Sequence, residues 1–206
     1  MIMAKLNRSF YTRPDVLQVA KDLLGCKIVT KLQGKITTGL IVDTEAYAGI
    51  NDRASHAYNN KRTPRTEIMY GQGGVAYVYQ IYGLHFLLNI ITNKPGIPQG
   101  VMLRAIQPLE GIDVMLERRG KLRLDYSLTN GPGTLTKALG ITKNELGQDV
   151  LGNRIWVEPR EIVLDDSDIV ETTRVGIDYA GDDAYLPYRF YIKENPWRSK
   201  GKGLSV

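Results

Sequence analysis

The chain has 206 residues, 43% of them hydrophobic and 24% charged, a globular balance that excludes an acidic or low-complexity disordered chain. Twenty-seven Lys and Arg against 22 Asp and Glu leave a formal charge of +5, which favours polyanionic partners such as nucleic acid but also fits a plainly basic surface. No run approaches the roughly 18 consecutive apolar residues of a membrane span, and the single cysteine, Cys26, excludes an intramolecular disulfide.

Met1 to Tyr11 carries Lys5 and Arg8 and no sustained apolar stretch, so no secretory leader is expected and the cytosol is the default compartment. Thr12-Arg13-Pro14-Asp15 reads as a capping box. Val16, Val19, Ala20 and Leu23 then share one helical face, which Gly25 can end. Strands follow at residues 26–32 and 36–47, turning at Gln33-Gly34. Residues 51–66 form a polar loop with Arg53, Lys61, Arg62 and Arg65. A second hairpin spans 75–82 and 84–92 and pivots near Tyr82-Gly83, and residues 101–106 form a further strand. Helices at 112–119 and 134–139 close on Gly120 and Gly140. The last third returns to strands at 154–157, 162–164, 169–177 and 189–193. With few helices, no βαβ alternation, no repeat and no linker, the chain reads as one α+β domain over residues 1–206 with a largely antiparallel sheet.

His56, His85, Cys26 and the carboxylates do not stand at the spacing of a zinc site, so no metal is expected. Gly71-Gln72-Gly73-Gly74 leads into a strand, and so lacks the helix N-terminus that holds a pyrophosphate. Chemistry here would be acid–base or electrostatic. Asp43-Thr44-Glu45-Ala46-Tyr47 ends an apolar strand, and period two puts Asp43, Glu45 and Tyr47 on one face. A carboxylate beside an aromatic ring can act as a general base over a flat substrate. A solvated strand-end charge is the simpler account of the pentapeptide alone.

The stretch from Tyr77 through Tyr79 and Tyr82 to Asn89 fits a stacking wall, a projecting wedge and an amide reader. It fits a sheet rich in tyrosine for its β-propensity equally well. Arg104, between Leu103 and Ala105, fits a buried ion pair, for example to Glu45, a phosphate contact, or a solvated edge charge. His56 and Lys61-Arg62-Thr63-Pro64-Arg65 read as ordinary surface groups when taken singly.

Taken in order, Asp43-Thr44-Glu45-Ala46-Tyr47, Ser55-His56, Arg62-Thr63-Pro64-Arg65, the run from Tyr77 to Gly83, Asn89-Ile90, Leu103-Arg104-Ala105-Ile106-Gln107-Pro108, Gly131-Pro132, Arg174-Val175-Gly176, Arg189-Phe190-Tyr191 and Asn195-Pro196-Trp197 resemble one family. It is the alkyladenine (3-methyladenine) DNA glycosylase family, the mammalian-type enzyme also found in bacteria. The resemblance runs from about Leu6 to Trp197. It implies a curved, largely antiparallel sheet with short helices and a protruding hairpin. It also implies an enzyme that acts on duplex DNA. No cofactor and no membrane contact are expected, a monomer is expected because a two-fold enzyme gains nothing at an isolated lesion, and DNA would hold the protein at the nucleoid within the cytoplasm.

Such an enzyme swings a damaged purine (3-methyladenine, hypoxanthine or ethenoadenine) out of the helix and hydrolyses its N-glycosidic bond, starting base excision repair. By the match, Tyr82 is the wedge, and Leu84, Arg62 and Arg104 also meet DNA. Tyr47, His56 and Tyr79 sandwich the base, and Asn89 sits where a guanine amino group would clash. Glu45 is the general base, on a water held also by Arg104 and the Val175 carbonyl. Three departures stand out: Asp43 replaces a frequent Glu, Thr134 stands where a phosphate-reaching lysine is expected, and His85 replaces an aromatic beside the wedge. A DNA- or RNA-binding module without catalysis and a hydrolase of free nucleosides are the competing classes.

Overall fold

The computed structural model describes residues 4–160 and 162–205; Met1 to Met3 of the N-terminal reading lie outside the described residues. A short helix absent from the sequence reading, α1 (Arg8–Tyr11), is capped by Asn7, whose side chain accepts the Phe10 amide at 3.1 Å. Helix α2 (Val16–Asp22) buries Val16, Val19 and Ala20, with Leu23 behind them. The expected capping box does not form. Asp15 alone caps α2, accepting the Leu17 and Gln18 amides at 2.9 and 3.0 Å, while the Thr12 hydroxyl turns back to the Arg8 carbonyl. A carboxylate is the stronger partner for the positive end of a helix.

β1 (Lys27–Leu32) and β2 (Lys35–Tyr47) join through Gln33 and Gly34, with φ of +55° and +71°. Two positive φ values match the strand twist, which is why a glycine sits in this tight turn. β3 (Ala76–Ile81), β4 (His85–Thr92) and β5 (Gln99–Glu110) follow, then helices α3 (Ile112–Arg119) and α4 (Pro132–Leu139). β6 (Ile155–Glu158), β7 (Ile169–Thr172) and β8 (Arg189–Ile192) complete one curled sheet. Its order is β3-β4-β5-β2-β1-β6, with β8 between β2 and β7, and every pairing among the described residues is antiparallel.

The α+β expectation holds, with two strand corrections. Residues 162–164 form no strand; Ile162 and Leu164 instead lie over the Gly25 turn, where a Cβ would meet both at 3.1 Å. The strand expected over 169–177 ends at Thr172, and Thr173 and Arg174 continue as buried irregular chain. Helix α4 begins two residues earlier than read, with Pro132 in its first turn, where its fixed φ suits a helix start.

Helices α2, α3 and α4 cover one face of the sheet. Val19, Leu23, Leu135 and Leu139 close there over Ile28, Ile41, Leu88, Leu103 and Ile106 in one buried cluster. Each such side chain stabilises the fold by about 1.5–3 kcal/mol.

β2 is the spine that places the chemistry. Its first half pairs with β1, and on the same edge Asp43, Thr44 and Glu45 pair with β8. Its other edge pairs with β5 throughout, and there the register slips: Ile41 faces Ile106, Asp43 faces Ala105, and Thr44 faces Leu103. Val42 is thus an extra residue on β2 and Arg104 an extra residue on β5. Bulges of this kind re-aim side chains.

Candidate active site

A cleft of about 620 Å³ opens beside the β3–β4 hairpin. Tyr47, His56, Tyr77, Tyr79, Asn89, Arg104 and Val175 are among its walls. Tyr47 on β2, Tyr77 and Tyr79 on β3, Asn89 on β4 and Arg104 on β5 meet there with Val175 from the chain after β7.

Glu45 lies one layer behind that wall and is fully buried. Its Oε1 accepts from Arg104 Nη1 at 2.9 Å and from the Val175 amide at 2.8 Å. Its Oε2 accepts from the Tyr47 hydroxyl at 2.9 Å. A carboxylate offers about four lone-pair sites, so one remains open on Oε2. The three groups that hold Glu45 all line the cleft. Asp43, Glu45 and Tyr47 do share a side: Arg104 stands 4.0 Å from Asp43 and 2.9 Å from Glu45.

Of the readings open for Arg104, the structure shows the buried ion pair with Glu45; only 5% of its side chain is exposed. Val175 donates its N–H to Glu45, a contact the resemblance does not give; its carbonyl is expected to hold the water, which is a separate contact. Burial first, then the charge of Glu45, pushes the Tyr47 phenol well above its ordinary range, so it stays a protonated donor.

His56 belongs to a cluster and is not a surface group. Its Nδ1 lies 2.8 Å from the Tyr77 hydroxyl, and Arg65 Nη2 lies 3.2 Å from its Nε2. Burial, followed by the nearby Arg65 and Lys61, pulls its pKa down to about 4, so the ring is neutral at pH 7. Arg65 can only donate, and its Nη2 also lies 3.4 Å from Nδ1, so it faces the ring-nitrogen edge of a neutral imidazole. The His56 and Tyr79 rings meet edge to face with centroids 4.7 Å apart, and Tyr77 tilts against Tyr79 at 5.5 Å. These rings form one wall, and Tyr47 lines the same cleft. Asn89 is buried opposite Tyr77 in the hairpin, its amide reaching the Tyr77 carbonyl at 3.4 Å.

The hairpin tip projects. Tyr82 is 86% exposed and Leu84 78% exposed. Tyr82 holds φ at +51°, a left-handed conformation that costs a non-glycine residue roughly 1–2 kcal/mol. Gln80 braces the turn by donating to the Gly83 carbonyl at 2.7 Å. Arg62 is exposed, ion-paired to Glu67 at 2.7 Å and stacked over Tyr70. His85 packs on Gly133 at the start of α4, and Thr134 donates to the Gly131 carbonyl.

Several functional neighbours escaped the sequence reading. Arg65 looked like part of a solvated basic loop, yet its guanidinium lies over Tyr79 and bonds both His56 and Tyr77. Arg174, quoted only as part of a motif, forms a fully buried pair with Asp52 and stacks 5.0 Å from the Tyr47 ring. Asp43 is gripped by both arms of Arg189, at 3.0 and 2.7 Å. Nothing local in the sequence signals these pairs. Among the described residues, no group of three or more His, Cys, Asp or Glu is arranged to hold a metal, and no helix is long and apolar enough to cross a membrane.

The sequence model described as methylpurine-DNA glycosylase matches residues 9–196. A protein of Clostridium acetobutylicum is 47% identical over 198 residues, covering 93% of this chain and 95% of its own. One of Bacillus cytotoxicus is 46% identical over 194 residues, covering 90% and 95%. One of Alkaliphilus oremlandii is 43% identical over 203 residues, covering 95% and 99%. All three bear the name "Putative 3-methyladenine DNA glycosylase".

Proposed function

The chain belongs to the methylpurine-DNA glycosylase family, and from that premise we propose that it excises 3-methyladenine, hypoxanthine and ethenoadenine by a Glu45-directed water. The observation that carries the reading is a buried carboxylate with one open lone pair, behind an aromatic cleft and beside a hairpin that projects a bare phenol.

A base inside the duplex cannot reach such a carboxylate. The nucleotide must leave the stack, at a cost of a few kcal/mol that is least for damaged or mispaired bases. Tyr82 fills the gap it leaves, with Leu84 and Arg62 alongside on DNA. The extruded purine enters between Tyr47 on one side and the His56–Tyr79 wall on the other. A neutral His56 matters here, because an imidazolium would repel a cationic base. Asn89 stands where a 2-amino group would fall, which disfavours guanine.

The water takes the open lone pair of Oε2 and passes a proton to Glu45 as its oxygen attacks C1′. The C1′–N bond breaks with its electron pair leaving on the base. The sugar passes through an oxocarbenium-like state, which the Glu45 carboxylate also stabilises. Arg104, the Val175 amide and the Tyr47 hydroxyl keep that carboxylate aimed. Cationic 3-methyladenine leaves without further help, whereas hypoxanthine and ethenoadenine need a proton from elsewhere.

The test is single-turnover incubation of the full chain with duplex DNA carrying each lesion, followed by chromatography of free base. Release of the free purine with the DNA strand left unbroken is expected. Tight binding with no free base at any enzyme excess overturns the reading, as does activity on free nucleosides that is insensitive to salt.

A further inference from the structure

We propose that Ser199 is a positioning residue for the hydrolysis, holding Arg104 on Glu45 from a segment that lies beyond the residues matched by the family. The inference rests on the assignment of Glu45 as the base.

The segment after β8 runs back along the rear of the site. Ser199 is 3% exposed, and its backbone is held at both ends by the buried Asp43–Arg189 pair. Its N–H donates to Asp43 Oδ2 at 3.0 Å, and its carbonyl accepts from Arg189 Nη2 at 2.9 Å. Arg189 Nη1 also donates to the Gly201 carbonyl at 2.6 Å, and the Thr173 hydroxyl donates to the Leu204 carbonyl at 2.6 Å. Close approach explains the two glycines of this strap. A Cβ at Gly201 would stand 2.9 Å from Val175 Cγ1 and 3.2 Å from Arg104 Nη2, and one at Gly203 would collide with Thr173 and with the Arg174 carbonyl.

The backbone is therefore fixed independently of Arg104, and its hydroxyl becomes an anchor. Ser199 Oγ accepts from Arg104 Nη2 at 3.2 Å. The guanidinium has few other holds: Nη1 is on Glu45, and Nε is buried without a hydrogen-bond partner, 4.0 Å from Asp43. Asp43 has its own cation in Arg189, so Glu45 is the carboxylate to which Arg104 is hydrogen-bonded. A single contact leaves a guanidinium free to pivot, whereas contacts at both terminal nitrogens fix its plane. Ser199 supplies the second contact and keeps Arg104 turned toward Glu45. The buried order runs from Arg189 to Asp43, to the Ser199 backbone, and through its hydroxyl to Arg104 and the reacting carboxylate.

A double-mutant cycle on the full chain tests this. Ser199→Ala, Arg104→Lys and the double variant are compared by single-turnover release of hypoxanthine from duplex DNA, by the Kd for that duplex, and by melting temperature. Ser199→Ala is expected to slow release about tenfold with the Kd unchanged, a typical effect of one hydrogen bond to a charged group. In the Arg104→Lys background the same change is expected to add nothing. Release at the wild-type rate by a less stable Ser199→Ala protein would reduce the strap to a structural role and overturn the proposal. So would full additivity in the cycle, or a loss confined to the Kd. Wild-type protein that releases no base would refute the functional reading itself, a separate outcome.

Discussion

Arg104 meets Glu45 at a local break in the β2–β5 register, where Val42 on β2 and Arg104 on β5 are both left without a pairing partner. Asp43 faces Ala105 and Thr44 faces Leu103, which leaves Arg104 unpaired between them and turned inward, its Nη1 2.9 Å from Glu45 Oε1. The flanking register continued without a break would set Arg104 opposite Asp43, on the face Asp43 shares with Glu45. With that pairing broken, Asp43 is held by Arg189 while Arg104 Nη1 bonds Glu45, a carboxylate with an open lone pair near the cleft.

Under the proposed mechanism, Glu45→Gln removes the base while nearly keeping the shape of the side chain. Single-turnover release is expected to fall by roughly 10²–10⁴, the usual contribution of a general base. Binding to lesion-bearing duplex should change little, because Glu45 is fully buried and does not line the cleft. Filter binding and base-release kinetics on the same preparation check both halves. A variant with undiminished release would remove Glu45 from the mechanism.

Tyr82 poses the opposite case. At 86% exposure it contributes nothing to the core, so Tyr82→Ser should leave the stability within about 0.5 kcal/mol of the parent. Its loss should instead slow excision of lesions in stable pairs far more than of lesions that unstack easily, since plugging the gap matters most where flipping costs most. Rates on a hypoxanthine pair and on a mispaired or bulged hypoxanthine give the comparison. An equal reduction on both would count against the wedge.

Much of this was legible from local rules. Glycines at 120 and 140 end α3 and α4 where expected, both with positive φ. Period two correctly placed Glu45 beside Tyr47, a relationship only two residues long. What escaped is long-range. Asp52 meets Arg174 across 122 positions and Ser199 meets Asp43 across 156, and no periodicity reports such pairs. The apolar residues Ile162 and Leu164 mimicked a strand because they cover the Gly25 turn, a packing role that shows the same composition. His56 looked like a surface histidine because its burial comes from Tyr77, Tyr79 and Arg65, which reach it through the fold.

The Arg174–Asp52 pair has both side chains at 1% exposure or less, with contacts of 2.5 and 2.9 Å. Arg174 also donates to the carbonyls of Ala46 and Asp183. Arg174→Met leaves a buried carboxylate without its cation and should cost about 3–5 kcal/mol in urea denaturation. Arg174→Met combined with Asp52→Asn should recover part of that loss, because the stranded charge is gone while one amide acceptor survives. If the double variant is less stable than the single one, the stranded charge was not the source of the penalty.

His56 supplies a pH dependence whose sign follows from its surroundings. Its ordinary pKa of 6.5 is lowered to about 4 in the fold, by burial first and then by Arg65 and Lys61. As pH falls below 6.5 the unfolded chain takes up this proton while the folded chain refuses it until about pH 4. The unfolded state then binds more protons, so stability falls as the pH drops through that window and is flat above it. Acidic groups titrate at the lower end of the same window, so the informative quantity is a difference. Urea midpoints of the parent and of His56→Gln, measured in steps from pH 7 down to pH 5, should diverge, with the parent losing stability more steeply. Gln keeps a hydrogen-bond donor and acceptor for Tyr77 and Arg65 but has no proton to gain. Parallel curves would mean that folding leaves the His56 pKa unshifted, and curves diverging with the parent gaining stability would mean that the ring is charged in the fold; either result would remove the case for a wall held neutral well below pH 6.5.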